Sequence, residues 1–453
     1  MSAPNNSTAA KQLAELQIPF VDPTHDTYNH SRAVWNARVD SKPAFIAQPD
    51  SAVQVSQLVH LALAEKLPLA VRGGGHNVHG ACVCDGSLVI DLTRMKAITV
   101  DAPACTAVAQ PGLTIAEFVH AIAAEDRIVT FGSHQHVGLA GLTLSAGIGL
   151  LMSRYGLLSD NLLAAEVVLA DGSIVSASAT DHPDLLWAIR GGGGNFGVVT
   201  SLTYRLYPAE PTIAGMLVHP ISCTEQGLRF YRDFTRNLPD SLAVFAAIAT
   251  PPNGVPAFSF FACYTGPLEE GERLLAPLRA FGTPIMDRLG PIPAAAMLEF
   301  LAGADPAGGR YAYGTRFLPG LSDDTITQLV KYGNQRTSPA SVVVVYEFHG
   351  EVRRHSTQES AFPGRDMPYA AGMYASWPSG DDTPHLQWLH SFGRALDPFA
   401  AGPGPIGLSN AIDEADVRAA YRGQYARLQQ IKAKYDPKNL FCHNYNIRPA
   451  AAG

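Results

Sequence analysis

The 453-residue sequence predicts an α+β protein made of an N-terminal domain, an inserted second domain and a C-terminal segment. Three observations carry this reading. Short apolar strand-like runs alternate with capped amphipathic helices through the first 208 residues. Glycine is dense in the same stretch, at 73–75, across 132–149 and at 191–197. After Pro208 the texture changes to strand-like runs separated by amphipathic helices, the pattern of a mostly antiparallel sheet.

Residues 1–40 read as a lead-in with one helical piece around Ala9–Leu16. Asp50-Ser51 precede a periodic apolar run (Val53, Val55, Leu58, Val59, Leu61, Ala62), which predicts a capped helix. A strand over Leu67–Val71 runs directly into Arg72-Gly73-Gly74-Gly75-His76. Leu88–Asp91 and Cys105–Ala109 read as strands and Thr114–Ala124 as a helix. Ala165–Leu169 and Val198–Tyr207 are strand-like around a Pro183–Ile189 helix. From about 210 to 405, strands at Ser241–Ala249, Ala257–Tyr264, Ser341–Phe348 and Tyr369–Trp377 alternate with helices at Glu225–Asn237, Thr325–Tyr332 and His385–Leu396. Asp413–Lys434 reads as one long helix, stopped by Pro437. The expected domain limits are 1–208, 209–410 and 411–453.

Composition narrows the function classes. A net charge of -7 with no dense Lys/Arg cluster argues against a nucleic-acid partner. The N-terminus has no charged n-region before an apolar core, and no run reaches the length of a spanning helix, so neither secretion nor a membrane is expected. The six cysteines (82, 84, 105, 223, 263 and 442) are irregularly spaced, and Cys82/Cys84 have the wrong separation for a CxxC motif. Free thiols in a reducing cytoplasm are the expectation.

Glycine permits positive φ and close approach of a ligand to backbone N–H groups, so three such loops in one domain point to a large dinucleotide. They do not form a Rossmann fingerprint. Gly147-Ile-Gly149 lacks the preceding strand, and Gly191–Gly194 follows a helix instead of opening one. No Gly-Lys-Ser/Thr of a P-loop occurs either. His76, displayed straight after a strand and three glycines, is placed as a nucleophile towards an electrophilic cofactor carbon. The alternative is a metal site from His76, His79, His134 and His136. No carboxylate nearby in sequence completes a ligand set, so no metal is expected.

The motifs occur in a telling order: Val71-Arg-Gly-Gly-Gly-His-Asn77, Val89-Ile-Asp-Leu92, Val137-Gly-Leu-Ala-Gly141, Tyr155-Gly-Leu-Leu-Ser-Asp-Asn161, Asp184 to Thr200, and Tyr435-Asp-Pro-Lys-Asn-Leu-Phe441 with Asn444 and Asn446. This series resembles the berberine-bridge-enzyme-like FAD-linked oxidases of the vanillyl-alcohol-oxidase superfamily. The resemblance implies a PCMH-type FAD-binding domain of two subdomains, completed by the C-terminal segment and roofed by the inserted antiparallel-sheet domain. It implies that His76 bonds the flavin 8α-methyl carbon. Cofactor contacts are implied at Val71, Arg72, Gly73, Gly74, Gly75 and Asn77, at Gly132, Ser133, His134, Val137, Gly138, Gly141 and Gly147, at Tyr155 and Asn161, at Gly197, Val198 and Val199, and at Asn444 and Asn446.

Departures from the family pattern are informative. Many members add a thioether from a cysteine in a Gly-Thr-Cys-x-x-Val-Gly loop; here the run is Gly132-Ser-His-Gln-His-Val-Gly138. With His134 in the cysteine's place, the chain resembles the singly linked subgroup, with FAD attached through His76 only. Val137 stands at the family's gatekeeper position, where a small residue implies molecular oxygen as electron acceptor and hydrogen peroxide as product. The tyrosine of a Tyr-x-Asn run is replaced at Leu408-Ser-Asn410, so the usual base is missing. Tyr445 is then the preferred candidate base, ahead of Glu347 and Tyr374, with Tyr346 and Phe348 on one strand face and Glu347 on the other. The implied function is oxidation of a small alcohol, amine or sugar. A flavin dehydrogenase, an oxidative cyclase or a non-redox flavin-binding protein is the alternative.

Overall fold

The computed structural model describes residues 6–251, 254–301, 305–408 and 413–451. Asn410, and the expected boundary beside it, lie outside the described residues. The fold is α+β. Two small sheets make up the N-terminal half. In the first, strands Phe45–Ala47, Leu88–Asp91 and Leu69–Arg72 run parallel, with Phe20–Val21 antiparallel at the edge. In the second, Ile98–Asp101, Thr106–Ala109, Val198–Arg205, Leu162–Val168 and Ile174–Ser178 lie side by side, antiparallel throughout.

The cap predicted at Asp50-Ser51 operates, and a second forms at Thr114, which the sequence reading placed inside its helix. Ser51 accepts from the Gln54 N–H at the start of helix Ala52–Glu65, and Thr114 with Glu117 forms a reciprocal capping box on helix Ile115–Ala123. Among the described residues, no helix is long and apolar enough to cross a membrane.

The inserted region is an eight-stranded antiparallel sheet. Its central order runs Thr212–Pro220, Ala257–Thr265, Leu242–Ala249, Val342–Glu347, Tyr369–Trp377, Arg310–Leu318. Period-2 alternation gives this sheet two different faces. Val343, Val345, Ala371, Met373 and Ala375 point to one side, into a core closed by helices Thr224–Phe234, Leu268–Ala280, Asp323–Asn334 and Thr383–Leu396. Phe245, Phe261, Val344, Tyr346 and Ala370 point to the other side, against Ala146, Met152 and Leu157 of the N-terminal half.

Several elements differ from the sequence reading. Strands Thr212–Pro220 and Arg310–Leu318 and helix Leu268–Ala280 were not predicted. The first strand contains Gly215 and ends on Pro220, the second contains Gly314, and the helix carries Pro277, each a residue that argues against its own element. The single helix expected over Asp413–Lys434 is two helices, Glu414–Tyr421 and Tyr425–Tyr435. The chain breaks at Arg422, which has φ +52° and precedes Gly423. Buried positions 417, 421, 425, 428 and 432 keep helical spacing across the break, so periodicity cannot reveal it.

Candidate active site

The site forms where the Arg72–Asn77 loop meets the 132–138 loop. The two touch through glycines: a Cβ on Gly74 would lie 2.3 Å from the Gly138 nitrogen. Any larger side chain at either position would push the loops apart. Gly75, at φ +72°, turns the chain so that His76 emerges half-buried beside this contact. The lead-in then ties the loop to the large sheet. Trp35 N–H donates to the Gly75 carbonyl and Gly308 N–H to the Trp35 carbonyl. Asn36, fully buried, donates to the carbonyls of Val78 (2.6 Å) and Tyr311 (3.0 Å) and accepts from the Tyr311 N–H.

Aromatic stacking fixes the His76 ring. It lies on Trp35 with centroids 5.1 Å apart and planes at 21°, and Trp35 stacks on Tyr311 at 3.7 Å. Burial, reinforced by the neighbouring His134 and His136, lowers the His76 pKa to about 4, so the imidazole is neutral at physiological pH. A neutral, oriented imidazole has a free nitrogen lone pair, which is what nucleophilic attack needs. His134 Nε2 lies 2.7 Å from Asp305 Oδ2, and the Asp305 carbonyl accepts from Trp35 Nε1 at 3.0 Å. Asp305 is 171 residues away in sequence. A nearby carboxylate therefore does exist, although none is visible in local sequence. Among the described residues, no cluster of three or more His, Cys, Asp or Glu side chains has a metal-holding arrangement.

The other wall is the C-terminal segment. Asn444 Nδ2 donates to the Gly194 and Phe441 carbonyls, which seats the segment on the third glycine loop. The buried Oδ1 atoms of Asn444 and Asn446 and the Tyr421 hydroxyl have no hydrogen-bond partner. Gly141 and Gly194 face open space, where an added Cβ would meet nothing within 4 Å. Open glycine positions and unpaired buried polar atoms on the C-terminal wall suit a long polar cofactor. Tyr445 is buried beside this wall, edge-on to His79 and hydrogen-bonded to the Asn77 side chain; burial raises its pKa.

The sheet roofs the cleft with phenols. Tyr313 meets Tyr374 edge-on at 4.6 Å, and the Tyr346 and Tyr374 hydroxyls are 2.8 Å apart. Burial raises the pKa of Tyr374 strongly and that of Tyr346 to about 12, so both stay protonated at neutral pH.

Other expected site residues lie elsewhere or serve the scaffold. Glu347 is on the helix side of the sheet, 4% exposed, with its carboxylate 2.5 Å from His349 Nδ1; strand alternation places it opposite Tyr346 and Tyr374. The Arg72 guanidinium is committed to Asp91 (2.7 Å) and the Ser31 carbonyl (2.6 Å). Asn161 is buried, donating to the Tyr155 and Leu157 carbonyls and accepting from Tyr207 Oη. Tyr155 stacks on Tyr207 at 4.5 Å inside the core. Asp160 of the same motif forms a buried ion pair with Arg365. Val198 and Val199 are buried sheet residues. Gly147 is required by packing, since a Cβ there would lie 2.4 Å from Leu158 Cβ. Trp35, Asp305 and Tyr313 were missed. The first sits in a lead-in without pattern, and the other two become site residues only through long-range contacts.

Comparison with known proteins settles the family. The FAD binding domain family matches residues 43–178, and the berberine and berberine-like family matches residues 410–448. The FAD-linked oxidoreductase pgmH of Aspergillus terreus is 32% identical over 481 positions, covering 94% of this chain and 92% of its own. The chain belongs to the berberine-bridge-like FAD-linked oxidoreductases. It is an FAD-linked oxidoreductase within a family of oxidases, and its fold is that of PCMH-type FAD oxidases. The crystal structure of 6-hydroxy-D-nicotine oxidase from Arthrobacter nicotinovorans superimposes with a TM-score of 0.87 at 26% identity, over 96% of this chain and 98% of that one. Glucooligosaccharide oxidase from Acremonium strictum gives 0.89 at 25% identity, over 98% and 100%, and is described as carrying a 6-S-cysteinyl, 8α-N1-histidyl FAD.

Proposed function

We propose that the chain is an oxidase that holds FAD covalently through His76 alone, takes a hydride from a small alcohol, amine or sugar, and is reoxidised by molecular oxygen to give hydrogen peroxide. The observation that carries this reading is the neutral His76 ring, stacked on Trp35 at the mouth of the glycine cradle. Opposite it stands His134, paired to Asp305, where a second link would need a thiol. The groups proposed to seat the cofactor are the backbone of the Gly73–Asn77 and Gly132–Gly138 loops with Val137 at the mouth of the second, Gly141, and Asn444 with Asn446. When bound, FAD supplies the electron-accepting ring. The protein supplies position and polarity.

Of the candidate groups for the substrate's O–H or N–H, Tyr374 has the best position. It is on the roof face and linked to Tyr346, whereas Glu347 lies behind the sheet. A buried, protonated phenol hydrogen-bonds and orients the reacting group. Tyr374→Phe is expected to slow anaerobic flavin bleaching by about tenfold or more, with covalent flavin content unchanged. Unchanged bleaching would remove Tyr374 from the reaction. The activity is tested by mixing the holoenzyme with a panel of amines, sugars and phenolic alcohols. Bleaching without air, recovery in air and equimolar peroxide are expected for a true substrate; reduction without reoxidation in air would point to a dehydrogenase. In His134→Ala, all covalent flavin that forms is expected on the His76 peptide. Flavin bound through any other residue of that variant would contradict single attachment.

A further inference from the structure

The His134–Asp305 pair is left without a role once the second covalent link is excluded, yet it is built with care. Trp35 serves two groups at once: its ring supports His76, and its Nε1 donates to the Asp305 carbonyl. The Asp305 carboxylate, 19% exposed, in turn holds His134 Nε2 at 2.7 Å, and Ser133 Oγ lies 3.3 Å from Nδ1. One indole therefore fixes the nucleophile and an imidazole–carboxylate pair in the same corner. His136 shares the loop but is exposed, and the side-chain contact it makes is with Gln135 at 3.3 Å.

Resting on the reading of His76 as the attachment point, we propose that the His134–Asp305 pair is the proton acceptor for covalent attachment of the flavin. Attachment breaks a C–H bond of the 8α-methyl group and forms a bond from that carbon to a His76 nitrogen. The electron pair of the C–H bond passes into the isoalloxazine ring, which becomes reduced by two electrons. Two protons are released, one from the methyl group and one from the His76 N–H. The first is taken by the His134 imidazole, whose partner carboxylate stabilises the imidazolium formed. Both finish on the reduced ring or in solvent. Dioxygen then takes up two electrons and two protons as hydrogen peroxide, restoring the oxidised ring. His76 itself is a poor acceptor, because burial disfavours its charged form.

The experiment follows attachment in time. Flavin-free full-length protein is mixed with FAD in air, and samples are acid-precipitated and read for flavin fluorescence. Non-covalent FAD affinity is measured separately within the first moments of mixing. His134→Gln and Asp305→Asn are each expected to slow attachment about tenfold or more, with FAD affinity within twofold of the parent and the same final link. Added imidazole is expected to restore part of the rate in His134→Ala, an effect no purely structural role would produce. Wild-type rates in a variant that binds FAD would overturn the proposal. So would loss of FAD affinity in both variants, which would make the pair a binding element. Absence of covalent flavin in the parent itself would instead refute the His76 reading, so the two failures are distinguishable.

Discussion

His76→Ala is expected to give protein that still binds FAD but releases all of it on acid precipitation, leaving a colourless pellet. The expectation rests on the absence of a substitute nucleophile. His134 is engaged by Asp305, and His136 is exposed on the far part of the loop. Retained affinity is expected because the cradle is built from backbone and from the Asn444–Asn446 wall, none of which the substitution touches. Flavin absorbance of the supernatant after acid treatment, against the parent, is the measurement. A yellow pellet from the variant would place the link on another residue.

Lys432→Met is expected to destabilise the protein by about 3–5 kcal/mol, the usual cost of leaving a buried charge without its partner. Lys432 has no exposed surface. Its ammonium donates to the Asn195 carbonyl (2.7 Å), the Phe441 carbonyl (2.9 Å) and Asp436 Oδ2 (2.6 Å). Asp436 also accepts from the Leu440 and Phe441 N–H groups. This cluster ties the final helix, the third glycine loop and the segment leading to Asn444 into one unit. The double change K432M/D436N is expected to recover part of the loss, since it removes the unpaired charge and leaves one amide oxygen to accept from the Leu440 or the Phe441 N–H. Urea unfolding of the three proteins reads the effect, and a midpoint change worth less than about 1 kcal/mol in K432M would contradict it.

The sequence made the scaffold legible where chemistry is local. Ser51 announces a helix start because a hydroxyl at that position satisfies a free N–H. The glycines at 73–75 and 138 read as places for a ligand to approach the backbone, and the structure shows the two loops approaching each other there. Strand alternation separates Glu347 from Tyr346, and the structure adds which face is inward. What stayed hidden is non-local. Asp305 reaches His134 across 171 residues, and Trp35 joins the site through a sheet strand more than 270 positions away. Conversely, Tyr155, Asp160 and Asn161 belong to a motif that reads as cofactor-binding, yet Asp160 and Asn161 are hydrogen-bonded within the protein and Tyr155 stacks on Tyr207. Its polar side chains hold turns and the Arg365 ion pair. Polar motifs in a loop look alike in sequence whether they face a ligand or other backbone, because both demand the same donors and acceptors.

Peptide mapping of the native holoenzyme distinguishes a single covalent bond between His76 and the flavin from any other attachment. Proteolysis under acid conditions followed by mass spectrometry is predicted to find the flavin mass on the peptide containing His76 and an unmodified peptide containing His134. Flavin on the His134 peptide, or two unmodified peptides with all FAD free in solution, would contradict the account.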